Sequence, residues 1–311
     1  MIEWPENLVD IIARRQCVLF LGSGVSANSS NEEGKHPLTW EAFLKDILIK
    51  RSVKLSEQKD VIEQMLKTKD YLTACEIIVE VLGENDFGEL AANEFRRPGY
   101  TPSDIHKAIY RLDSRLVLTP NIDKIYEQYA MNESHSTIVA KSYYEDDIAK
   151  YLRTNDFLII RVHGYVDDVS KIIFTHKQYS EARCKYASFY RILDALMLTH
   201  TFIFLGCGIS DPDIQLILEN MNFLYPGCLP HYFITAKDTY SREIEKSLLH
   251  NRNLELLTYD NSDGTHQKLL VELQNLFLKI TGNSKLSVTG SDGRENFYIT
   301  KFLWNCLTYI T

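Results

Sequence analysis

The fold is decided by the stretch Cys17-Val-Leu-Phe-Leu-Gly-Ser-Gly-Val-Ser-Ala27. Its first five residues are apolar without alternation, which is typical of a strand buried on both faces of a parallel sheet. Gly22, Gly24 and Ala27 then match the pattern G-x-G-x-x-[GA], whose small residues permit a tight turn and a close backbone approach to a pyrophosphate. An ordinary glycine-rich turn between a strand and a helix satisfies the same pattern, so this stretch alone leaves both interpretations open.

Similar apolar runs recur further along the chain and alternate with segments of helical spacing. Runs of this kind predict strands, at 115–118, 157–160, 172–174, 201–205, 231–235 and 254–257. Helices are predicted at 8–15, 122–130, 188–198, 213–223, 241–249 and 265–280. The alternation predicts an α/β fold with a Rossmann-like, doubly wound and mainly parallel sheet.

The residues after the first strand predict an inserted helical module. Trp40, Phe43, Leu44, Ile47 and Leu48 recur at helical spacing, and no strand-like run interrupts the chain before residue 110. We therefore predict a core formed by residues 1–38 and 111–282, a helical module at 39–110, and a C-terminal tail at 283–311. An insertion after the first strand overhangs the edge of the sheet where ligands bind.

Composition excludes several classes of function. The 311 residues hold 34 Lys and Arg against 42 Asp and Glu, a net charge of −8, which gives no electrostatic footprint for nucleic acid or for an anionic membrane. No apolar run approaches the ~20 residues that span a bilayer, and the N-terminus lacks a secretion signal. No two of the six cysteines lie closer than 21 residues, so zinc-ribbon spacing is absent. These features predict a cytoplasmic protein.

Three further polar turns follow predicted strands. The first is Thr119-Pro-Asn-Ile-Asp123, the second is Val162-His-Gly164, and the third is Gly206-Cys-Gly-Ile-Ser210. Each has a structural interpretation: Asn121 or Asp123 as a helix cap, His163 as a satisfied structural histidine, and the last turn as a well-capped loop. His163, at the carboxyl end of a strand, is also placed for acid–base work, and the last turn also fits a second wall of a nucleotide site.

Taken in order with Gly22-Ser-Gly-Val-Ser26, these turns resemble the signature series of the sirtuins, which runs roughly GAG-x-S, TQNID, HG and GTS. The resemblance covers about residues 8–260. Asn-Ile-Asp followed by His-Gly about 40 residues later is the most specific part of the series.

Departures from the series narrow the resemblance. Protein-deacylating sirtuins carry a four-cysteine zinc module between the HG and GTS motifs, whereas this interval holds only Cys184. The Gly-Ile-Pro-Asp-Phe-Arg run of the deacylases is also missing after Ser26, and Pro120 replaces their Gln. The chain is more similar to the sirtuin-like domains of bacterial anti-phage defence, which include those of Thoeris, HerA-associated and short-Argonaute systems.

This resemblance implies an NAD glycohydrolase that cleaves NAD to nicotinamide and ADP-ribose and depletes the infected cell of NAD. NAD is then the substrate, and no metal is implied. By resemblance Asn121 orients the ribose and the attacking water, and His163 is the base. The resemblance also implies that Thr119 binds NAD and that Asp123 contacts the ribose or the carboxamide. The other implied contacts are those of Gly22, Ser23, Gly24 and Ser26 with the pyrophosphate, and of Gly206, Gly208 and Ser210 on the adenosine side.

Two other functions stay open on the sequence. One is NAD-dependent protein deacylation or ADP-ribosylation, and the other is a non-catalytic sensor of NAD or ADP-ribose. Because an unregulated NAD hydrolase would kill its host, we expect that the chain is a piece of a larger effector or that its activity is gated by assembly. The expected partners are further copies of this chain, and a HerA-type ATPase or another defence-system protein.

Overall fold

The computed structural model describes residues 1–209, 214–215, 218 and 227–286. Within them seven strands form one sheet, and all of their pairings are parallel. The strands are β1 (Cys17–Leu21), β2 (Leu116–Thr119), β3 (Val139–Ser142), β4 (Leu158–Arg161), β5 (Thr201–Leu205), β6 (His231–Ala236) and β7 (Leu254–Tyr259). The spatial order is β3-β4-β2-β1-β5-β6-β7.

Helices separate most of these strands along the chain. Before the second strand they are α1 (Glu6–Ala13), α2 (Ser23–Ser26), α3 (Trp40–Lys50), α4 (Lys59–Lys67), α5 (Tyr71–Leu82), α6 (Glu84–Phe95) and α7 (Asp104–Arg111). After it they are α8 (Ile125–Glu133), α9 (Ile148–Leu152), α10 (His176–Lys185), α11 (Ala187–Thr199), α12 (Arg242–Arg252) and α13 (Gln267–Leu286). Across the described part of the chain, no helix is both long enough and apolar enough to cross a membrane.

The central strand β1 pairs with β2 on one side and with β5 on the other. The chain builds the β2 side first and then crosses β1 to build the β5 side, so the strand order reverses between β1 and β5. Such a reversal leaves a crevice at the carboxyl ends of the two strands, where open α/β sheets bind ligands. The predicted Rossmann-like, doubly wound parallel fold is confirmed.

Both faces of the sheet are buried, because β1 sends alternate side chains into two separate cores. Cys17, Leu19 and Leu21 pack in a first core with residues of α1, α7 and α13, while Val18 and Phe20 pack in a second core with residues of α10, α11 and α12. All five residues of β1 are at most 1% exposed. Burial on both faces is the reason that the strand is continuously apolar.

Helices α3 to α6 form the helical module around a third core of their own. Ile122, Ile172 and Phe174, which belong to loops at the edge of the sheet, complete this core. Helix α7 instead packs into the first core against α13 and α8. The predicted division into core, module and tail stays a prediction, and the packing of α7 favours an end of the module before residue 104.

Of the seven predicted strands, six are confirmed and one is wrong. One observed strand, β3, was not predicted. The run at 172–174 is not a strand: Ile172 and Phe174 are buried against the helical module, and this burial explains their apolar character. The omitted strand β3 is a short edge strand, and only Ser142 at its end is fully buried. The helix predicted at 213–223 and the tail beyond residue 286 lie outside the described residues.

Two buried histidines predict how stability depends on pH. Nδ1 of His231 accepts a hydrogen bond from the backbone N–H of Phe202 (3.0 Å), and Nδ1 of His106 accepts one from the backbone N–H of Ser103 (3.2 Å). An accepting Nδ1 carries no proton, and burial lowers the pKa of each ring to about 4.

Below about pH 6.5 these histidines therefore bind protons in the unfolded chain but stay neutral in the native state. The free energy of unfolding falls as the pH drops toward 4. Each histidine contributes on the order of 3 kcal/mol over that interval. Urea unfolding of wild type and His231→Asn at pH 7.5 and 5 measures the effect, because the asparagine oxygen can replace Nδ1 without titrating. An equal loss of stability on acidification in both proteins would contradict this account.

Candidate active site

A cavity of about 300 Å³ lies between the carboxyl edge of the sheet and the helical module. Its volume is at the lower end of the range for small-molecule sites. The turns after the strands contribute the polar part of the wall, with Ser23, Ser26, Asn121, Asp123, His163 and Gly208. The module side is mostly apolar and aromatic, with Leu38, Trp40, Tyr71 and Phe95. The structure thus brings six of the eleven predicted site residues to one cavity.

The glycines of the turn after β1 and of the turn after β5 are in backbone contact. Gly24 N–H donates to the carbonyl oxygen of Gly206 over 2.8 Å. A Cβ added to Gly22 would lie 2.5 Å from that oxygen, and one added to Gly24 would lie 2.9 Å from it. Gly206 has φ +65°, and its Cβ would lie 2.5 Å from the backbone nitrogen of Val25. The glycines are therefore required by the contact between the two turns, whether or not they also approach a ligand.

Four predicted site residues lie behind the cavity wall rather than on it: Gly22, Gly24, Gly206 and Thr119. The Thr119 hydroxyl donates to the carbonyl oxygen of Leu21 (2.8 Å) and accepts from the backbone N–H of Asn121 (3.1 Å). Thr119 therefore fixes the turn after β2 against the end of β1. Ser210, assigned to the adenosine side, lies outside the described residues.

Asn121, Ser26 and Asp123 form a hydrogen-bonded chain at the cavity wall. Asn121 Nδ2 donates to the Ser26 hydroxyl over 3.1 Å, and the side chain of Ser26 is hydrogen-bonded in turn to Asp123. An ionised carboxylate only accepts, so the Ser26 hydroxyl donates to Asp123 and must accept from the Asn121 amide. This polarity fixes the orientation of the amide and leaves its Oδ1 as the atom that Asn121 can offer to a ligand.

Asp123 also makes a structural hydrogen bond. Its Oδ1 accepts from the backbone N–H of Ile125 (3.0 Å) at the start of α8. Asp123 therefore fixes the turn that leads into α8, although the N-cap residue of that helix is Lys124, and its assignment as a binding residue stays a prediction. Burial raises the pKa of Asp123, and the hydrogen bonds from Ile125 and Ser26 act in the opposite direction.

His163 stands two residues beyond the end of β4, in a turn that only glycine can complete. The backbone N–H of Ile173 donates to the carbonyl oxygen of His163 (3.1 Å) and closes the loop between them. Gly164 has φ +79°, and an added Cβ would lie 2.6 Å from the carbonyl oxygen of Lys171. The His-Gly pair is thus explained by backbone geometry that aims the histidine at the cavity.

Tyr179 is a site residue that the sequence analysis missed. Its hydroxyl lies 2.6 Å from His163 Nε2, and the two rings meet edge to face with centroids 5.1 Å apart. Tyr179 is 4% exposed and lines the cavity. It lies in the first turn of α10, which begins with a capping box formed by Thr175 and Gln178. The capping box is readable from sequence, but the side of the helix that faces His163 is not.

A buried ion pair fixes the end of β4, the strand that leads into the His163 turn. Arg161, the last residue of β4, donates from Nε and Nη2 to the two carboxylate oxygens of Glu127 on α8 at 2.6 and 2.5 Å. Its Nη1 also donates to Ser142 on β3 (3.2 Å), and its guanidinium lies 4.2 Å from the Tyr165 ring centroid. A two-pronged contact of this kind restrains position and orientation together. Sequence spacing gave no sign of the pairing, since 34 residues separate the partners.

A second histidine, His176, also lines the cavity at the first residue of α10. Its Nε2 lies 4.0 Å from a carboxylate oxygen of Asp70, and its side chain is 58% exposed. The sequence analysis gave this residue no chemical role. Among the described residues, no group of three or more His, Cys, Asp or Glu side chains is arranged to hold a metal ion.

The fold is an α/β domain of the Rossmann type, and the polar groups of the cavity lie at the reversal of the strand order. Comparison with known proteins gives a narrower likeness than the fold class alone. Residues 115–257, less than half of the chain, match the family model described as SIR2-like domain.

Curated relatives resemble the chain at modest identity. The NAD(+) hydrolase ThsA of Enterococcus faecium is 24% identical over 73% of this chain, and ThsA of Acinetobacter baumannii (strain 532279) is 22% identical over 75%. The match covers 45% of each relative, so the chain spans less than half their length. Defense-associated sirtuin 2 of Bacillus subtilis is 22% identical over 83% of this chain and 24% of its own length.

Among solved structures, one titled "Structural Basis for the Mechanism and Regulation of Sir2 Enzymes" superposes with a TM-score of 0.47 at 12% identity. The superposition covers 90% of this chain and 97% of that one.

Replacing Gly164 by alanine tests the explanation of the His-Gly turn. We expect Gly164→Ala to lower the free energy of unfolding by about 2–4 kcal/mol, because the methyl group both strains a positive φ and meets the Lys171 carbonyl. Gly264→Ala is the matched control, since Gly264 has φ +69° with open space around it, and should cost about 1 kcal/mol. Urea unfolding measures both, and equal losses would show that the Lys171 contact is unimportant.

Proposed function

We propose that this chain hydrolyses NAD to nicotinamide and ADP-ribose and acts as an effector of anti-phage defence through NAD depletion. The observation that carries the proposal is the presence of Asn121 and His163 on one cavity, each held by its own hydrogen-bonded partner, Ser26 and Tyr179. The match to the SIR2-like domain model and the relatives named NAD(+) hydrolase support it.

The chemistry of NAD cleavage suits these groups. Departure of nicotinamide develops oxocarbenium character at the anomeric carbon, and nicotinamide leaves without a strong general acid. Asn121 Oδ1 orients the ribose and the attacking water, and Ser26 and Asp123 keep that oxygen directed toward them. His163 accepts a proton from the water or from a ribose hydroxyl, while Tyr179 holds the imidazole in place.

The two walls of the cavity have different chemical roles. The sheet side supplies the polar groups that act on the ribose. The module side supplies aromatic surface, where Trp40 stacks on Phe174 with ring centroids 5.2 Å apart and planes within 10°. Such a wall excludes bulk water from the reacting centre and strengthens electrostatic contacts to a developing positive charge.

The proposal also covers the oligomeric state of the protein and its location in the cell. Activity is gated by assembly into a homo-oligomer, with a HerA-type ATPase or another defence protein as partner, because free NAD is present before infection. Cytoplasmic location is supported by Cys17, Cys75, Cys184 and Cys228, which carry thiols and form no disulfide.

Substitution of the two acting residues tests the assignment. We expect Asn121→Ala and His163→Ala each to lower kcat for nicotinamide release at least ~100-fold while the protein stays folded. His250→Ala, an exposed histidine on α12, is the matched control and should leave the rate unchanged. Nicotinamide is quantified by chromatography over a range of protein concentrations. Full activity in both site variants would reject the assignment.

The same assay separates the alternatives. Turnover of NAD that requires an acetylated peptide would identify a deacylase, and transfer of labelled ADP-ribose to protein would identify a transferase. Tight NAD binding without turnover at every protein concentration would identify a sensor.

The acid side of the pH profile tests the Asn121–Ser26–Asp123 chain. Asp123 has a raised pKa, so it gains its proton at a higher pH than an ordinary aspartate as the pH falls. A protonated carboxyl group can itself donate to Ser26, so the Ser26 hydroxyl can reverse, the amide orientation is no longer fixed and the rate falls. The side chain of Asp123→Asn does not change its protonation, and loss of the base on acidification is common to both proteins, so we expect kcat/KM of the variant to fall less than that of wild type between pH 8 and 4.5. An unchanged acid limb in this variant would contradict the mechanism.

A further inference from the structure

The segment 28–38 connects the turn after β1 to α3 and forms part of the cavity wall. Pro37 and Leu38, at its end, line the cavity beside Trp40. The segment contains no helix and no strand beyond a single bridge between Ser30 and Thr101, and its internal backbone hydrogen bonds are those of one turn between Asn31 and Lys35. A segment without its own ladder of backbone hydrogen bonds needs other contacts to hold one conformation.

Glu94 on α6 supplies such contacts from beneath the segment. One carboxylate oxygen accepts from the backbone N–H of Leu38 (3.1 Å) and from the Tyr100 hydroxyl (2.9 Å). The other lies 2.5 Å from Lys35 Nζ. Glu94 is 2% exposed, so its charge is withdrawn from water and faces three donors on the protein.

The geometry of this group is directed at the segment rather than at the helix that carries it. Two of the three donors, Lys35 and the Leu38 amide, belong to residues 28–38, and the third, Tyr100, lies just before α7. Burial and the charge of Glu94 raise the pKa of Tyr100, so its hydroxyl stays protonated and donates. Burying a carboxylate is costly unless such partners are present, so the carboxylate and the segment order one another.

We propose that Glu94 is a positioning residue that holds segment 28–38 closed, so that the cavity wall is formed before the nucleotide binds. The proposal rests on NAD turnover as the function of the cavity. Because the cost of ordering the segment is met in advance, Glu94 lowers KM for NAD and leaves the chemical step to Asn121 and His163.

A structural readout independent of activity comes from Lys35 itself. Trypsin must accommodate the Lys35 side chain and the backbone around it, and both are held by Glu94 in the closed segment. We expect Glu94→Ala to be cut after Lys35 at least ~10-fold faster than wild type, with the fragment identified by mass. Glu94→Gln retains an oxygen for the Leu38 amide and the Tyr100 hydroxyl but loses the ion pair, so its rate should lie between the two.

Asp86→Asn is the matched control in the same helix. Asp86 binds Arg51 (2.7 Å) and Lys54 (3.1 Å) within the helical module and lies outside the cavity wall. This variant loses an ion-pair network of α6 without touching segment 28–38. It should therefore leave cleavage after Lys35 and NAD turnover as in wild type.

The functional readout is the division between KM and kcat. We expect Glu94→Ala to raise KM for NAD about 10-fold with kcat changed less than about twofold, and to weaken ADP-ribose binding in calorimetry by a similar factor. Glu94→Gln should recover most of the affinity. Equal cleavage after Lys35 in Glu94→Ala and Asp86→Asn overturns the proposal, as does faster cleavage with unchanged KM and unchanged ADP-ribose affinity.

Failure of the proposed function remains distinguishable from failure of this inference. If the wild type binds ADP-ribose but releases no nicotinamide, the hydrolase assignment fails, and the ADP-ribose affinities of the Glu94 variants decide the role of Glu94. If the wild type binds neither nucleotide, both proposals are overturned.

Discussion

Gly24 donates its backbone N–H to the carbonyl oxygen of Gly206, so the turns after β1 and β5 are in direct backbone contact. A Cβ on Gly22, Gly24 or Gly206 would fall within 3 Å of backbone atoms of the opposite turn. The contact fixes the reversal point of the sheet, and Ser26 and Gly208 reach the cavity from turns that it holds in register. The glycines are thus required first for packing between the two loops, and any approach to a ligand depends on that packing.

Around this contact the site is assembled from side chains that orient one another. Asp123 directs Ser26, Ser26 directs Asn121, and Tyr179 holds His163. The helical module completes the enclosure from the other side, and its core includes loop residues from the sheet edge such as Phe174. The module and the loops at the edge of the sheet therefore share a core, and a change in the packing of one alters the geometry of the other.

The sequence predicted the parts of the molecule whose pattern is local. Buried strands are continuously apolar, and the four polar turns stand at strand ends, so the parallel sheet and six cavity residues could be located. Strand β3 was not predicted because an edge strand with one partner does not require an apolar run. The run at 172–174 was wrongly predicted as a strand because burial against the helical module produces the same apolar pattern as burial in a sheet. Tyr179 and Arg161 act through partners 16 and 34 residues away, a relation that no local pattern records.

The position of β1 at the centre of the sheet also governs how the chain must be made. β1 is complete at Leu21, but its second neighbour begins only at Thr201, roughly 180 residues later. At about 5–20 residues per second, a ribosome takes on the order of 10–40 s to supply that neighbour. During this interval one edge of an entirely apolar strand has no partner within its own chain, which is the condition under which nascent chains aggregate. Production of this protein in soluble form is therefore expected to depend on chaperones that shield β1 until synthesis has passed β5.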